Sequence, residues 1–222
     1  MNIWVKSVLD LIYPVEPLAH DLPCTSEHLC LRCGEPYEGE MEGEFRCSNC
    51  AGRRWHIARA RAAYRAQGEV RELIHEFKYN GHFHHLPQLA VWLKDGFDRF
   101  YKDDLTPWDA LVPVPLYPLR KRERGFNQAE ELARTLGKRV GLPVMNVLKR
   151  VKKTEAQAKL RRSERLRNQM NAFELKSEFD LQGKKLLIID DVFTTGATVN
   201  ACAQILKQAG ASSLSALTVA RG

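Results

Sequence analysis

The sequence lacks any run of roughly 20 apolar residues, so no membrane span is expected. Its first residues show no basic segment leading into an apolar stretch and a small-residue cleavage site. That argues against export and for a cytoplasmic protein. No Walker loop, G-x-G-x-x-G pattern or Ser–His–Asp arrangement is present, which sets aside three common enzyme classes. There is no internal repeat and no low-complexity tract. Cysteine is scarce after residue 50, where Cys202 stands alone. Between Phe126 and Phe173 there is no aromatic residue at all, so that stretch offers nothing for stacking on nucleic-acid bases.

What remains is ordinary globular material, unevenly charged. The 222 residues are 44% hydrophobic and 27% charged, enough for one domain, or one domain with a small accessory module. The net charge of +7 is not spread along the chain. Residues 117–169 carry 16 basic and 5 acidic side chains, whereas 1–60 carry 6 and 9, 61–116 carry 7 and 8, and 170–222 carry 5 of each. Either this stretch is a solvated basic face or it meets something polyanionic.

Five of the six cysteines precede residue 51. Cys30-Leu-Arg-Cys33 and Cys47-Ser-Asn-Cys50 form two C-x2-C knuckles separated by thirteen residues. Each knuckle can turn two thiolates toward one point, and two knuckles supply four ligands for a tetrahedral zinc ion. Disulfides and free thiols are the alternatives, and no export signal points to the oxidising compartment that disulfides need. Four thiolates leave no open coordination position, so such a zinc would be structural. Cys24, His20 and His28 are spare potential ligands that the paired knuckles do not require. These features divide the chain into a zinc-ribbon segment, 1–56, and a second domain, 57–222.

The second domain alternates strands and helices. Strands are expected at 57–64, 110–114, 146–151, 184–190 and 213–220. Helices are expected at 70–79, 86–100, 163–171 and 197–208, and over 127–140, where Asn127 with Glu130 three positions later suggests a capping box. A proline-rich loop follows 110–114. The apolar, non-alternating strands favour a parallel sheet covered on both faces. The Gly81-His82-Phe83-His84-His85 cluster has metal potential but reads more simply as a polar start to a helix. Trp4, Trp55, Trp92 and Trp108 read as core or inter-module contacts.

The most informative segment is Leu186-Leu-Ile-Ile-Asp190-Asp191-Val-Phe-Thr194-Thr195-Gly196-Ala197-Thr198. Four apolar residues suit a strand buried on both faces. Two carboxylates follow where that strand emerges, the end at which ligands sit in open α/β sheets. A hydroxyl-rich turn then opens a helix, and its backbone N–H groups, helix dipole and threonine hydroxyls can cradle a phosphate. The acids would repel a phosphate, so their natural partners are sugar hydroxyls or a cation. A ribose 5-phosphate satisfies both halves.

This segment resembles the phosphoribosyl diphosphate (PRPP) motif of type I phosphoribosyltransferases. Val112-Pro113-Val114-Pro115-Leu116, Arg124-Gly125-Phe126-Asn127-Gln128-Ala129, Phe77-Lys78-Tyr79-Asn80-Gly81, and Gln157, Arg165, Asn168 and Phe173 narrow the resemblance to the ComF family, which also carries an amino-terminal four-cysteine module. The sequence departs from the family pattern at Glu155-Ala156-Gln157, where a proline commonly precedes the glutamine. The resemblance implies a type I phosphoribosyltransferase-like parallel sheet of about five strands flanked by helices, preceded by a small four-cysteine zinc ribbon. It implies that Asp190 and Asp191 bind the ribose hydroxyls and that Thr194, Thr195, Gly196, Ala197 and Thr198 wrap the 5-phosphate. It further implies pyrophosphate or loop roles for Pro115, Leu116, Arg122, Arg124, Gln157 and Arg165, with Mg²⁺ accompanying PRPP. Residues 149–167 fall where the mobile loop of these enzymes lies.

Three functions fit these residues: a phosphoribosyltransferase with an unknown acceptor, a non-catalytic PRPP sensor serving DNA uptake in natural transformation, and a zinc-ribbon DNA-binding adaptor. Sixteen cations exceed what one diphosphate needs, so single-stranded DNA is an expected further partner; the resemblance to the ComF family adds DNA-uptake proteins.

Overall fold

The computed structural model describes residues 28–37, 45–79, 83–152, 172–176 and 179–222. Gln157, Arg165 and the helix expected at 163–171 lie outside the described residues.

Four strands form one parallel sheet: β1 (Ala60–Arg65), β2 (Ala110–Pro113), β5 (Lys185–Phe193) and β6 (Ser213–Arg221). They lie in the order β1-β6-β5-β2, with every pairing parallel. Val144 adds a single parallel bridge to Leu111 beyond β2, in the place of a fifth strand. The short strands β3 (Leu148–Arg150) and β4 (Phe173–Leu175) pair antiparallel as a separate ribbon.

Helices cover both faces, as a parallel sheet requires, because neither face of a strand such as Leu186–Ile189 can meet water. Leu187 and Ile189 join Leu217 and Val219 against α1 (Gly68–Tyr79), α2 (Leu86–Phe100) and the helix over Gln128–Val140. Leu186, Ile188, Leu214 and Ala216 face the other way, onto the helix at Ala197–Gln208 and the four cysteines. Each fully buried leucine or isoleucine contributes ~1.5–3 kcal/mol, which favours an internal place for β5.

Two local expectations are corrected. The proline-rich stretch after β2 contains a short helix, α3 (Pro118–Arg124), with Pro118 in its first turn, where a missing N–H costs nothing, and Gly125 at φ 80° ending it. At α4 (Gln128–Val140), Asn127 occupies the N-cap without a side-chain cap. Its amide instead donates to the Val114 carbonyl at 3.0 Å, tying the helix start to the end of β2. Glu130 is held by Arg134 and Lys121, so no capping box forms. The last helix of the sheet domain is α5 (Ala197–Gln208).

The cysteine knuckles are not an appendage. Cys30, Cys33, Cys47 and Cys50 are all buried and share a core with Ile57, Ala60 and the sheet. The Ala60 N–H donates to the Arg32 carbonyl at 2.7 Å, and Arg32 donates in turn to the Ala58 carbonyl at 2.7 Å. Arg221, in the last strand, donates to the Cys33 carbonyl at 3.1 Å and pairs with Glu35.

Candidate functional site

The site forms where neighbouring strands part company. β2 stays beside β5 only as far as Pro113 opposite Ile189, and the Val114 N–H makes the final contact to the Ile189 carbonyl at 2.9 Å. From β2 the chain leads outward through α3 and α4, whereas from β5 it returns through α5 to β6 on the opposite side. A crevice at the carboxyl ends of two such strands is the usual ligand position in an open α/β sheet. Asp190 and Asp191 stand at that point, and Pro115 and Leu116 follow the end of β2 at the same edge of the sheet.

The two acids differ. Asp191 is buried and pairs with Lys78, Nζ to Oδ1 3.0 Å. Asp190 is half-buried, and its Oδ1 accepts the Asp191 N–H at 3.0 Å. Burial, reinforced by the Asp191 charge, pushes the Asp190 carboxyl up to about 7, with Lys78, the Asp191 N–H and Arg150 opposing the rise. Arg150, on β3, lies over the Phe173 ring at 5.3 Å and adds a second cation within electrostatic reach of Asp190.

The turn after β5 is built around Gly196. It sits at φ 68° as the N-cap of α5, in the left-handed region that favours glycine. A Cβ there would come within 2.7 Å of Trp55 Cη2 and would also run into Phe193. Lacking a side chain, Gly196 caps nothing, and the first turn of α5 carries no acid to oppose an anion. The Ala197 N–H bonds the Thr195 hydroxyl at 3.4 Å, and Thr194 is exposed.

The segment following the cysteine knuckles holds this turn from outside. Arg53 donates to the Thr195 carbonyl at 2.6 Å while its guanidinium lies 4.1 Å from the Trp55 ring centre. The His56 N–H donates to Asn200 Oδ1 at 2.7 Å, and Asn200 Nδ2 donates to the Arg54 carbonyl at 3.0 Å. A separate cavity of about 480 Å³ runs along the outer side of α5 beneath Arg53, Arg54 and His56.

The remaining expected residues are placed unevenly. Arg122 is exposed on α3 and Arg124 half-buried at its end, while Lys121 is paired with Glu130. Trp92 is core and Trp55 joins the two parts of the chain. His84 and His85 form one turn of 3-10 helix before α2, and His85 bonds Glu76 at 2.7 Å. Nothing in the sequence singles out Lys78, Arg150 or Arg53, although Arg150 falls within residues 149–167, the segment that resembles the mobile loop. Lys78 belonged to a recognised motif, but nothing in a linear sequence couples it to a carboxylate more than a hundred positions away.

The four cysteine sulfurs fit a metal ion. All lie within 4.8 Å of one another, and Cys33 and Cys47 are 3.5 Å apart. A tetrahedron of ~2.3 Å zinc–sulfur bonds has edges of about 3.8 Å, so little adjustment is needed. Burial pushes the Cys33 thiol up strongly and Cys50 up to about 12. At Cys30 burial also acts upward, but backbone N–H groups of Cys33, Cys47 and Arg32 outweigh it and bring the thiol to about 7. Buried sulfurs that resist joint ionisation would be stabilised as thiolates by a dication, and four clustered thiols suit zinc.

Comparison with known proteins agrees with this geometry. Residues 122–222 match the phosphoribosyl transferase domain family. Competence protein F of Haemophilus influenzae is 38% identical over 117 residues, covering 51% of this chain and half of its own length. Competence protein ComFC of Bacillus subtilis is 30% identical over 201 residues, 87% of this chain and 78% of its own. DNA utilization protein YhgH of Salmonella typhimurium is 31% identical over 84% of this chain and 81% of its own. Among the described residues, no helix is long and apolar enough to cross a membrane. The parallel sheet, its flanking helices and the clustered cysteines are those of a type I phosphoribosyltransferase-like fold with an amino-terminal cysteine module, and the chain belongs to the ComF family.

Proposed function

We propose that the protein binds phosphoribosyl diphosphate with Mg²⁺ at the crevice between β2 and β5, carries one structural zinc, and serves DNA uptake or utilization. The observation that carries this reading is the placement of the acid pair and, after two intervening residues, the Gly196 turn at the strand-divergence point. Asp190 and Asp191 accept from the ribose hydroxyls. Thr194, Thr195, Gly196, Ala197 and Thr198 receive the 5-phosphate through backbone N–H groups and hydroxyls. Pro115, Leu116, Arg122 and Arg124 supply the diphosphate side, with Gln157 and Arg165 from the segment joining β3 to β4. Bound Mg²⁺ neutralises diphosphate charge, the chemistry that makes it a leaving group. The names of the similar proteins support the setting, competence and DNA utilization.

Phosphoribosyl transfer and ligand sensing use the same pocket, and the intact acid pair supports the ligand in both. The basic segment 117–169 supports single-stranded DNA as a second partner, bound through phosphates rather than by stacking. A thermal-shift titration tests the ligand assignment. PRPP with Mg²⁺ raises the melting temperature of the wild type and leaves the Asp190→Asn, Asp191→Asn double variant unmoved. An unmoved wild type at millimolar ligand contradicts the assignment.

A further inference from the structure

We infer that Lys78 is a binding residue of this site that contacts the diphosphate of the ligand, beyond its pairing with Asp191. The inference rests on the phosphoribosyl reading above. An ammonium carries three donors, and the ion pair with Asp191 Oδ1 uses one. The Lys78 side chain keeps 21% of its surface exposed while that of Asp191 keeps 12%, so the pair is not sealed from solvent.

Its surroundings identify which part of the ligand it meets. Phe77, the preceding residue, packs on Phe126 with ring centres 5.1 Å apart, and Phe83 packs edge-on against Phe126 at 4.7 Å. Phe126 follows Arg124 and Gly125 at the end of α3. The last turn of α1 is therefore fixed between the acid pair and the helix bearing Arg122 and Arg124. In a phosphoribosyl diphosphate, C1 carries the diphosphate and neighbours the C2 hydroxyl, with the 5-phosphate at the opposite end. Phe77 packs on the sheet face opposite the one where Phe193 and Trp55 hold the Gly196 turn, so a cation beside the hydroxyl-binding acids on that face meets the C1 substituent. Lys78 holds Asp191 with one donor and an anionic oxygen of the ligand with another, so the diol and the diphosphate are gripped by one connected set.

The test is calorimetric titration of PRPP and of ribose 5-phosphate, each with Mg²⁺, into wild type, Lys78→Met and Lys78→Arg. A charge-assisted hydrogen bond is worth ~10-fold or more in affinity, so Lys78→Met is expected to lose at least ~10-fold for PRPP and under ~3-fold for ribose 5-phosphate. Lys78→Arg is expected to recover most of the PRPP loss. Equal losses for the two ligands, or no loss for either, overturn the inference: the first makes Lys78 a prop for Asp191 and the second a bystander. Should Lys78→Met not fold, the ratio of the two affinities in Lys78→Gln decides the matter in the same way. A wild type that binds neither ligand overturns the phosphoribosyl reading itself, a failure visible before any variant is compared.

Discussion

Trp55 lies against Gly196: a Cβ on the glycine would sit 2.7 Å from Trp55 Cη2. Trp55 follows the second cysteine knuckle by five positions, and Gly196 is the hinge of the proposed phosphate turn. The segment after the cysteine knuckles is thus in direct contact with the proposed ligand site, so the module's integrity and that turn's geometry are one problem.

Gly196→Ala should therefore be costly. It adds a side chain at φ 68°, against Trp55 and Phe193, and is expected to destabilise by about 3 kcal/mol. In a Trp55→Ala background the same substitution should cost less by about 1 kcal/mol, because one of the two obstructions has gone. Chemical denaturation of the four proteins of the cycle measures this. Strict additivity would show that Trp55 does not restrain the turn.

Asp190 gives a pH dependence. Its folded carboxyl titrates near 7 instead of 3.8, chiefly through burial. Across that interval the folded protein holds a proton that the unfolded chain has released, so stability falls as pH rises from about 4 to 7 and stays reduced above. Asp190→Asn removes the cost of a buried charge. Without ligand it should raise stability at pH 8 by about 2 kcal/mol, after allowance for partial solvent screening, and by much less at about pH 4.5. Melting curves at both pH values check the sign. A gain confined to acid pH contradicts the assignment.

The metal prediction follows from the buried sulfurs. Purified protein should contain about one zinc per chain. Chelation under unfolding pressure, or Cys33→Ser, should lower the melting temperature by on the order of 10 °C. The reach of the effect is the informative part. Because Arg221 holds the Cys33 carbonyl and Arg53 holds Thr195, metal loss should also weaken ligand binding. Metal analysis finding no zinc would point to free thiols or disulfides.

The basic segment makes a separate prediction about nucleic acid. Charge-neutral replacement of Lys152, Lys153, Arg161 and Arg162 should weaken single-stranded DNA binding. It should also flatten the salt dependence, by up to about 3 in the log–log slope if all four meet phosphates. Unchanged slopes would assign those charges to the diphosphate or to solvent.

Much of the site was legible in sequence because its parts are local. Leu186–Ile189, the acid pair and the Thr194–Thr198 turn lie within thirteen residues, so strand burial, charge and turn chemistry can be read in one pass. The cysteine knuckles are legible for the same reason, since each encodes half a tetrahedron in four residues. What escaped is set by distant contacts. Lys78 meets Asp191, and Arg53 meets Thr195, only because the chain crosses the sheet between them. Asn127 and Glu130 have the spacing of a capping box, but stronger tertiary partners, the Val114 carbonyl and the Arg134 and Lys121 cations, claim both side chains. The α3 helix was hidden by prolines that read as loop, although Pro118 occupies the one helical turn that tolerates it.

The central claim, that the crevice between β2 and β5 binds phosphoribosyl diphosphate, is tested most directly by isothermal titration of Mg²⁺-PRPP into the zinc-loaded protein. The account predicts saturable binding at about one ligand per chain in the wild type, and its loss in the Asp190→Asn, Asp191→Asn double variant. Absence of binding to a folded, zinc-loaded wild type, or equal binding by the double variant, would contradict it.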